Sequence, residues 1–179
     1  MEVVGSKSIV KPVIFMKILN DESLVVVDCE TTVRFFNKDN LELESGFKVD
    51  IKHDRYSNQI VTFSEDRAYF AALSSDCRES RLFSTDTKEV IATVSRHHGE
   101  VSCVGIDPLS RYMFSCGDDG KTFAIDVKTG KLVFTLPPHA DTINDIAFSK
   151  NGNWVATASF DKKISLFSLV TMTPKNKLK

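Results

Sequence analysis

Two sets of residues in this sequence each combine an imidazole, a hydroxyl and a carboxylate, the three groups of a hydrolytic triad. The members are His97, Ser115 and Asp119 in the first set and His139, Thr157 and Asp161 in the second, 42 residues further on. A triad needs one nucleophile at one converging site, and a copy in each repeat does not meet that need. The spacing therefore favours a structural role that recurs with an internal repeat.

The displacement by 42 residues extends well beyond these polar residues. It aligns the segment from His97 to Ile125 with the segment from His139 to Phe167 without a gap. Two more divergent copies precede them, because Phe36 and Phe83 fall in the same apolar column as Ile125 and Phe167. The sequence therefore divides into an N-terminal segment and four units, at residues 1–11 and then about 12–50, 51–96, 97–138 and 139–179.

Within the units the apolar residues alternate with polar ones at a period of two, which is typical of strands. The third unit predicts the strands Ser102–Ile106, Tyr112–Cys116, Thr122–Asp126 and Lys131–Leu136. The fourth unit predicts Ile143–Phe148, Trp154–Ser159 and Ile164–Ser168. Turn sequences such as Asp118-Asp119-Gly120 separate the strands. No segment has a convincing helical period, so the pattern indicates an all-β protein.

Four short antiparallel strands in each unit of 42 residues resemble the WD40 family of β-propellers. The residues that carry the resemblance are His97, Asp119 and Ile125-Asp126, with His139, Asp161 and Phe167-Ser168 at the matching positions. The Trp of the family's Trp-Asp pair is replaced in every unit. The resemblance implies a β-propeller of four-stranded blades, with about four blades in this chain. It also implies that the two polar sets are three-membered remnants of a hydrogen-bonded tetrad that has lost its Trp.

The resemblance further implies a non-enzymatic scaffold that binds a protein or peptide through loops at the top face, as an accessory or assembly factor of a larger complex. The candidate contact residues are Arg55, Tyr56, Arg78, Arg96, His98, Lys121 and Phe160. For Phe160 two alternatives stay open, an interface anchor or a side chain packed over its own blade. The segment Cys77–Arg81 is either a solvated turn or a contact loop with an exposed thiol. His53-Asp54 is a further candidate for a degenerate polar set.

The composition excludes several other classes of function. The net charge of −1 argues against nucleic acid or an anionic membrane surface as the main partner. No motif for a cofactor or a metal is present, and the four cysteines form no CxxC pair, which predicts a reduced, cytoplasmic protein. The alternative is an enzyme or metal-binding propeller that uses its central channel, where the inner strands offer Asp107 and Asp145.

The number of blades leaves three alternatives open. The chain is part of a longer propeller that continues beyond it, half of a ring of eight blades formed by two copies, or a closed ring of four blades. Truncation of a longer propeller is the first expectation and an associating pair is the second. In the first case residues 1–11, with Val3-Val4 and Ile9-Val10, supply a strand that closes the last blade.

Overall fold

The structure is a computed structural model that describes residues 5–19, 23–51 and 60–171. All regular secondary structure in these ranges is β-strand, as the sequence predicts. None of the described residues belongs to a helix that could cross a membrane.

Fifteen strands form four antiparallel sheets, which we call blades 1 to 4. Blade 1 contains β1 (Val13–Leu19), β2 (Ser23–Asp28), β3 (Thr32–Asn37) and β4 (Leu43–Lys48). Blade 2 contains β5 (Val61–Phe63), β6 (Tyr69–Leu73), β7 (Ser80–Ser84) and β8 (Val90–Val94). Blade 3 contains β9 (Val101–Ile106), β10 (Tyr112–Gly117), β11 (Thr122–Asp126) and β12 (Leu132–Leu136). Blade 4 contains β13 (Ile143–Phe148), β14 (Trp154–Ser159) and β15 (Ile164–Ser168).

Each blade is a meander in which strands neighbouring in sequence are paired. The first strand of each blade is the innermost, and β9 contacts both β5 of blade 2 and β13 of blade 4. Blade 1 also contacts blade 2, where the Lys17 ammonium on β1 lies 2.7 Å from the Glu65 carboxylate in the turn after β5. The all-β propeller prediction is confirmed, with three described strands in blade 4 where the other blades have four.

The turns repeat as closely as the strands do, because each contains a residue in the left-handed region. In the turn between the second and third strands this residue is Thr31, Cys77, Gly120 or Lys162, with φ between 60° and 71°. Only blade 3 uses glycine at this position, so the other blades hold an ordinary L-residue in a conformation that glycine adopts more easily. The neighbouring hydrogen bonds therefore have to hold these turns in place.

Apolar side chains between the blades form two buried clusters. The larger joins blades 1, 2 and the near side of blade 3, and the smaller joins blades 3 and 4. The Phe surplus fills the larger cluster, where Phe70 stacks on Phe83 with ring centroids 4.5 Å apart and on Phe63 at 5.4 Å. Phe83, Phe36 and Ile125 of the repeated column are buried, and Phe167 is half-buried.

Three details differ from the sequence-based predictions. Ile9 and Val10 lie in irregular chain and not in a closing strand, whereas Val3-Val4 lies outside the described residues. Cys77 is buried, which is incompatible with an exposed thiol in its turn. Trp154 falls in the same column of the repeat as Tyr69 and Tyr112, which predicts a packing residue, yet 45% of its surface is exposed because the face of blade 4 that carries it is uncovered.

Candidate functional site

The loops at one end of the blades bring the first polar set together. Nδ1 of His97 lies 2.9 Å from Oδ1 of Asp119, and Nε2 lies 3.0 Å from Oγ of Ser115. The Asp119 carboxylate also accepts hydrogen bonds from the backbone N–H groups of His98 and Lys121, each at 3.1 Å. His97 comes from the loop before β9, Ser115 from β10, and Asp119 from the turn before β11. The network therefore joins three segments of blade 3.

The second polar set has the same geometry in blade 4. Nδ1 of His139 lies 2.9 Å from Oδ2 of Asp161, and Nε2 lies 2.8 Å from Oγ1 of Thr157. Asp161 accepts from the N–H groups of Ala140 at 3.1 Å and Lys163 at 2.9 Å. Polar groups that are 42 residues apart in the sequence therefore have equivalent hydrogen-bond partners in the two blades.

The hydrogen bonds set the charge state of both carboxylates. Burial by itself would raise the pKa of Asp161, but the Ala140 N–H, the His139 imidazole and the Lys163 N–H lower it to about 2. Burial likewise opposes ionisation of Asp119, and the imidazole of His97 with the N–H groups of His98 and Lys121 lowers its pKa below the ordinary value. An ionised carboxylate only accepts hydrogen bonds, so Nδ1 of each imidazole carries a proton and donates to it; in the neutral form of the imidazole, Nε2 then accepts from the hydroxyl.

This Asp–His–hydroxyl connectivity is also that of a hydrolytic triad, but the hydroxyls cannot meet a substrate in this structure. Ser115 has an exposed fraction of 0% and Thr157 of 2%. A nucleophile must lie within reach of the group it attacks. The geometry therefore suits a network that fixes loops and does not suit hydrolysis.

Blades 1 and 2 fix the corresponding turn with other residues. The buried Asp28 carboxylate accepts from the N–H groups of Glu30 at 2.9 Å and Thr32 at 3.0 Å, and from the Arg34 guanidinium at 2.5 Å. In blade 2 the Ser74 hydroxyl donates to Asp76 at 2.6 Å. The Asp28–Arg34 pair was not predicted from the sequence, because Asp28 stands where the third unit has Gly117. The sequence signal that could have indicated this pair is an acid and an arginine on the two sides of a short turn.

An aromatic contact was also missed. Phe123 on β11 meets the His97 imidazole edge to face, with ring centroids 4.8 Å apart. Phe123 is the residue directly paired with Ser115 across the sheet. It therefore supplies apolar cover over the imidazole in a unit that has no Trp. The matching position of blade 4 is Ser165, so His139 has no such cover from β15.

The candidate contact residues that the structure describes all lie at the end that carries these networks, which we call the top end. Arg78, Arg96, His98 and Phe160 are exposed there, and Lys121 is half-buried. Phe160 is the large apolar member and keeps 65% of its surface exposed. The remaining candidates, Arg55 and Tyr56, and the degenerate set His53-Asp54 lie outside the described residues.

A cleft of about 390 Å³ opens at the top end between blades 2 and 3. Two of the candidate residues, Arg78 and His98, line it together with Glu79, Glu100 and Asp118. Glu79 is paired with Arg81 at 3.1 Å. The cleft thus presents charges of both signs beside the loop that carries His97.

The two acids predicted for the central channel are placed differently. Asp107 is fully buried in the turn after β9, where it accepts from the Arg111 and Tyr112 N–H groups, each at 2.7 Å, and from Nε of Arg111 at 2.8 Å. It is therefore committed to its own turn. Asp145 is exposed on β13. Within the described ranges, no three His, Cys, Asp or Glu side chains come close enough together to hold a metal ion.

Comparison with known proteins gives the same repeats. The profile of the WD40 family, described as "WD domain, G-beta repeat", matches residues 88–123 and 130–168. The chain is 30% identical over 95 residues to eukaryotic translation initiation factor 3 subunit I of Vanderwaltozyma polyspora. The aligned segment covers 53% of this chain and 27% of that protein. It is 26% identical over 152 residues to the WD repeat-containing protein 55 homolog of Dictyostelium discoideum, covering 84% of this chain and 36% of that protein.

A third relative is the putative guanine nucleotide-exchange factor SED4 of Candida glabrata, 25% identical over 138 residues, which cover 76% of this chain and 11% of that protein. The matches thus span well under half the length of each of these relatives. Two profile matches, the repeat of 42 residues and the four meander sheets agree with one another. The two matched segments are WD40 repeats, and the fold is that of WD40-type β-propeller blades.

Proposed function

We propose that this chain is a non-enzymatic protein-interaction scaffold that binds a protein or a peptide through the loops of its top end. The relative from Vanderwaltozyma polyspora is by name a subunit of a translation initiation factor, which supports a role as an accessory or assembly component of a larger complex. The other relatives' names describe different roles, so the partner has to be identified by experiment.

The exposure of Phe160 carries this proposal. A phenylalanine with 65% of its surface in water contributes little to its own blade, and burial of an aromatic anchor is a common source of interface affinity. The carboxylate of its neighbour Asp161 accepts three hydrogen bonds, so the turn that presents Phe160 is fixed before any partner binds. A fixed loop loses less conformational entropy on binding than a mobile one.

The charged residues around the top end supply the polar part of the proposed contact. Arg78 and His98 border the cleft between blades 2 and 3, beside the unpaired carboxylates of Glu100 and Asp118 in the described part of the chain. A surface with both signs of charge suits a peptide better than it suits a phosphate backbone, which needs a basic stripe. The net charge of −1 supports the same choice. All four cysteines are free thiols, which supports placing the protein in the reducing cytoplasm.

The test compares two single substitutions at opposite ends of the blades. Phe160→Ala removes the proposed anchor, and Leu109→Ala is the matched control, because Leu109 is also an exposed apolar turn residue, at 54%, at the other end. Each variant is used as bait for affinity capture from the native source with quantitative mass spectrometry. We expect Phe160→Ala to lose most of the proteins that the wild type retains, and Leu109→Ala to keep them, with the melting temperature of Phe160→Ala unchanged.

Equal capture by the two variants would contradict a top-end site. A large fall in the melting temperature of Phe160→Ala would show that its side chain belongs to the core. In that case the loss of capture would carry no information on the interface, and Arg78→Glu, at another exposed position of the top end, would be measured in its place.

A further inference from the structure

The cleft between blades 2 and 3 carries charges of opposite sign on its two walls. Arg78, in the turn before β7, lines it from blade 2, and Glu100 and Asp118 line it from blade 3. All three residues are exposed, and none forms an ion pair with another described residue. Glu79, the remaining carboxylate of the lining, is paired with Arg81. The described part of the chain therefore leaves one cation and two anions of this cleft without a counter-ion.

Hydrogen bonds of the backbone hold Glu100 and Asp118 next to each other. The Asp118 N–H donates to the Glu100 carbonyl oxygen at 3.0 Å. A Cβ at Gly99 would overlap the Asp118 carboxylate, so this side chain lies directly on the Gly99 backbone. The Asp119 carboxylate fixes the same loop through the His98 N–H, at 3.1 Å. Both acids are therefore presented from backbone that the blade 3 network keeps in place.

The two walls of the cleft are joined by one hydrogen bond between the blades. The Val101 N–H donates to the Cys77 carbonyl oxygen at 2.6 Å. Arg78 directly follows Cys77, and Glu100 directly precedes Val101, so the two charged residues stand on either side of this bond. The Arg78 N–H donates to Asp76 at 3.1 Å, which fixes the backbone of the blade 2 wall. The opposite charges are thus close in the backbone, yet their side chains do not pair with each other.

We propose that this cleft binds a segment of the partner protein in which a basic residue stands next to an acidic one. The basic side chain donates to the carboxylates of Glu100 and Asp118, and the acidic side chain accepts from the Arg78 guanidinium. A cleft of about 390 Å³ is near the lower end of the ~300–1,000 Å³ of ligand pockets, which suits a few residues of peptide. This inference rests on the proposed function, to which it adds the charge pattern of the partner.

The experiment titrates the full chain with the peptide acetyl-Gly-Arg-Glu-Gly-amide and follows the backbone amides by NMR. We expect saturable shifts at Gly99, Glu100 and Asp118. Two further peptides carry glutamine in place of the arginine or in place of the glutamate. Each should bind about two- to fivefold more weakly, because one charged contact near the surface is lost.

Variants of the chain then identify which residue meets which charge. Glu100→Gln/Asp118→Asn should abolish the preference for arginine over glutamine and keep the preference for glutamate. Arg78→Gln should have the reverse effect. The matched control is Asp86→Asn/Glu89→Gln, which removes two exposed acids from the turn before β8, at the other end of the blades. The control should keep both preferences.

Equal affinity of the wild type for the three peptides would overturn the inference, and so would the absence of saturable shifts at the cleft. Loss of the arginine preference in the control variant would overturn it as well, because net charge alone would then explain the effect.

Failure of this inference is distinguishable from failure of the proposed function, which is measured with Phe160→Ala. If Phe160→Ala loses capture while no peptide binds, the top-end scaffold stands and only the charge pattern is wrong. If Phe160→Ala and Leu109→Ala capture equally while the peptides bind at the cleft as expected, the anchor is wrong and the charge pattern stands.

Discussion

The role of the repeated polar sets is tested most directly by two neighbouring acids in one turn. Asp119→Ala removes the carboxylate that holds His97, and Asp118→Ala removes a carboxylate that is exposed and has no side-chain hydrogen bond within the described residues. The two substitutions delete the same atoms one residue apart. Their difference therefore isolates the network from any general effect of losing an acid in this turn.

The expected loss follows from the partners of Asp119. Its carboxylate is 9% exposed and accepts from one imidazole and two backbone N–H groups. The His98 and Lys121 N–H groups lie near solvent, so each bond contributes about 0.5–1.5 kcal/mol. The fully buried His97 imidazole would keep an unpaired N–H, which costs about 1–3 kcal/mol. We expect Asp119→Ala to lower the free energy of unfolding by about 2–6 kcal/mol, the sum of these contributions, and Asp118→Ala to change it by less than about 0.5 kcal/mol.

The assay is urea unfolding followed by circular dichroism, with the melting temperature as a second measure. For a chain of this size, the expected loss corresponds to a fall in melting temperature of roughly 4–24 °C for Asp119→Ala. Equal effects of Asp118→Ala and Asp119→Ala would refute the reasoning, since the network would then add nothing to the fold. A double-mutant cycle with His97→Ala should show coupling above about 1 kcal/mol, because both substitutions break the same contact.

Two further predictions concern the same turns. The pKa of Asp161 is about 2 in the folded chain and 3.8 ordinarily, so its contribution is complete above pH 4 and is lost as the pH falls towards 2. Urea unfolding between pH 2 and 5 should therefore show a shallower loss of stability for Asp161→Asn than for the wild type, and equal slopes would contradict the assignment. Gly120→Ala should lower the free energy of unfolding by at least about 1–2 kcal/mol, because φ is +71° and a Cβ would collide with the His139 carbonyl oxygen. Gly5→Ala, whose Cβ would have only an ordinary contact with Leu41, should leave thermal unfolding unchanged, and similar melting temperatures for the two variants would rule out this strain.

Much of the fold could be predicted because the third and fourth units align without a gap. In the fourth unit the predicted strands Ile143–Phe148, Trp154–Ser159 and Ile164–Ser168 coincide with β13, β14 and β15. Successive side chains of a strand point to opposite faces of the sheet. Wherever one face is buried, apolar and polar residues therefore alternate in the sequence and indicate the strand. The repeated turns then fix the order of the strands.

The parts that could not be predicted depend on neighbours outside the unit. The position of Trp154 in the repeat, shared with Tyr69 and Tyr112, predicts a packing residue. Its exposure depends on whether a neighbouring blade covers that face of blade 4, which the sequence of the unit does not contain. The burial of Cys77 follows from the adjoining blade, where the Val101 N–H donates to its carbonyl oxygen. Asp28 and Arg34 replace a network whose usual members are absent from their unit. A single unit of sequence contains no information on such contacts between units.

The positions where the units differ indicate where function should be sought. The carboxylates of Asp119 and Asp161 accept the same three hydrogen bonds in two blades, so the turn by itself accounts for an acid at these positions. The residue just before the acid is Asp118 in blade 3 and Phe160 in blade 4, and neither side chain holds the turn. A position that is structurally free, exposed and rigidly presented can change without cost to the fold. Under the proposed function, Phe160 is therefore the residue that we expect to distinguish one partner from another.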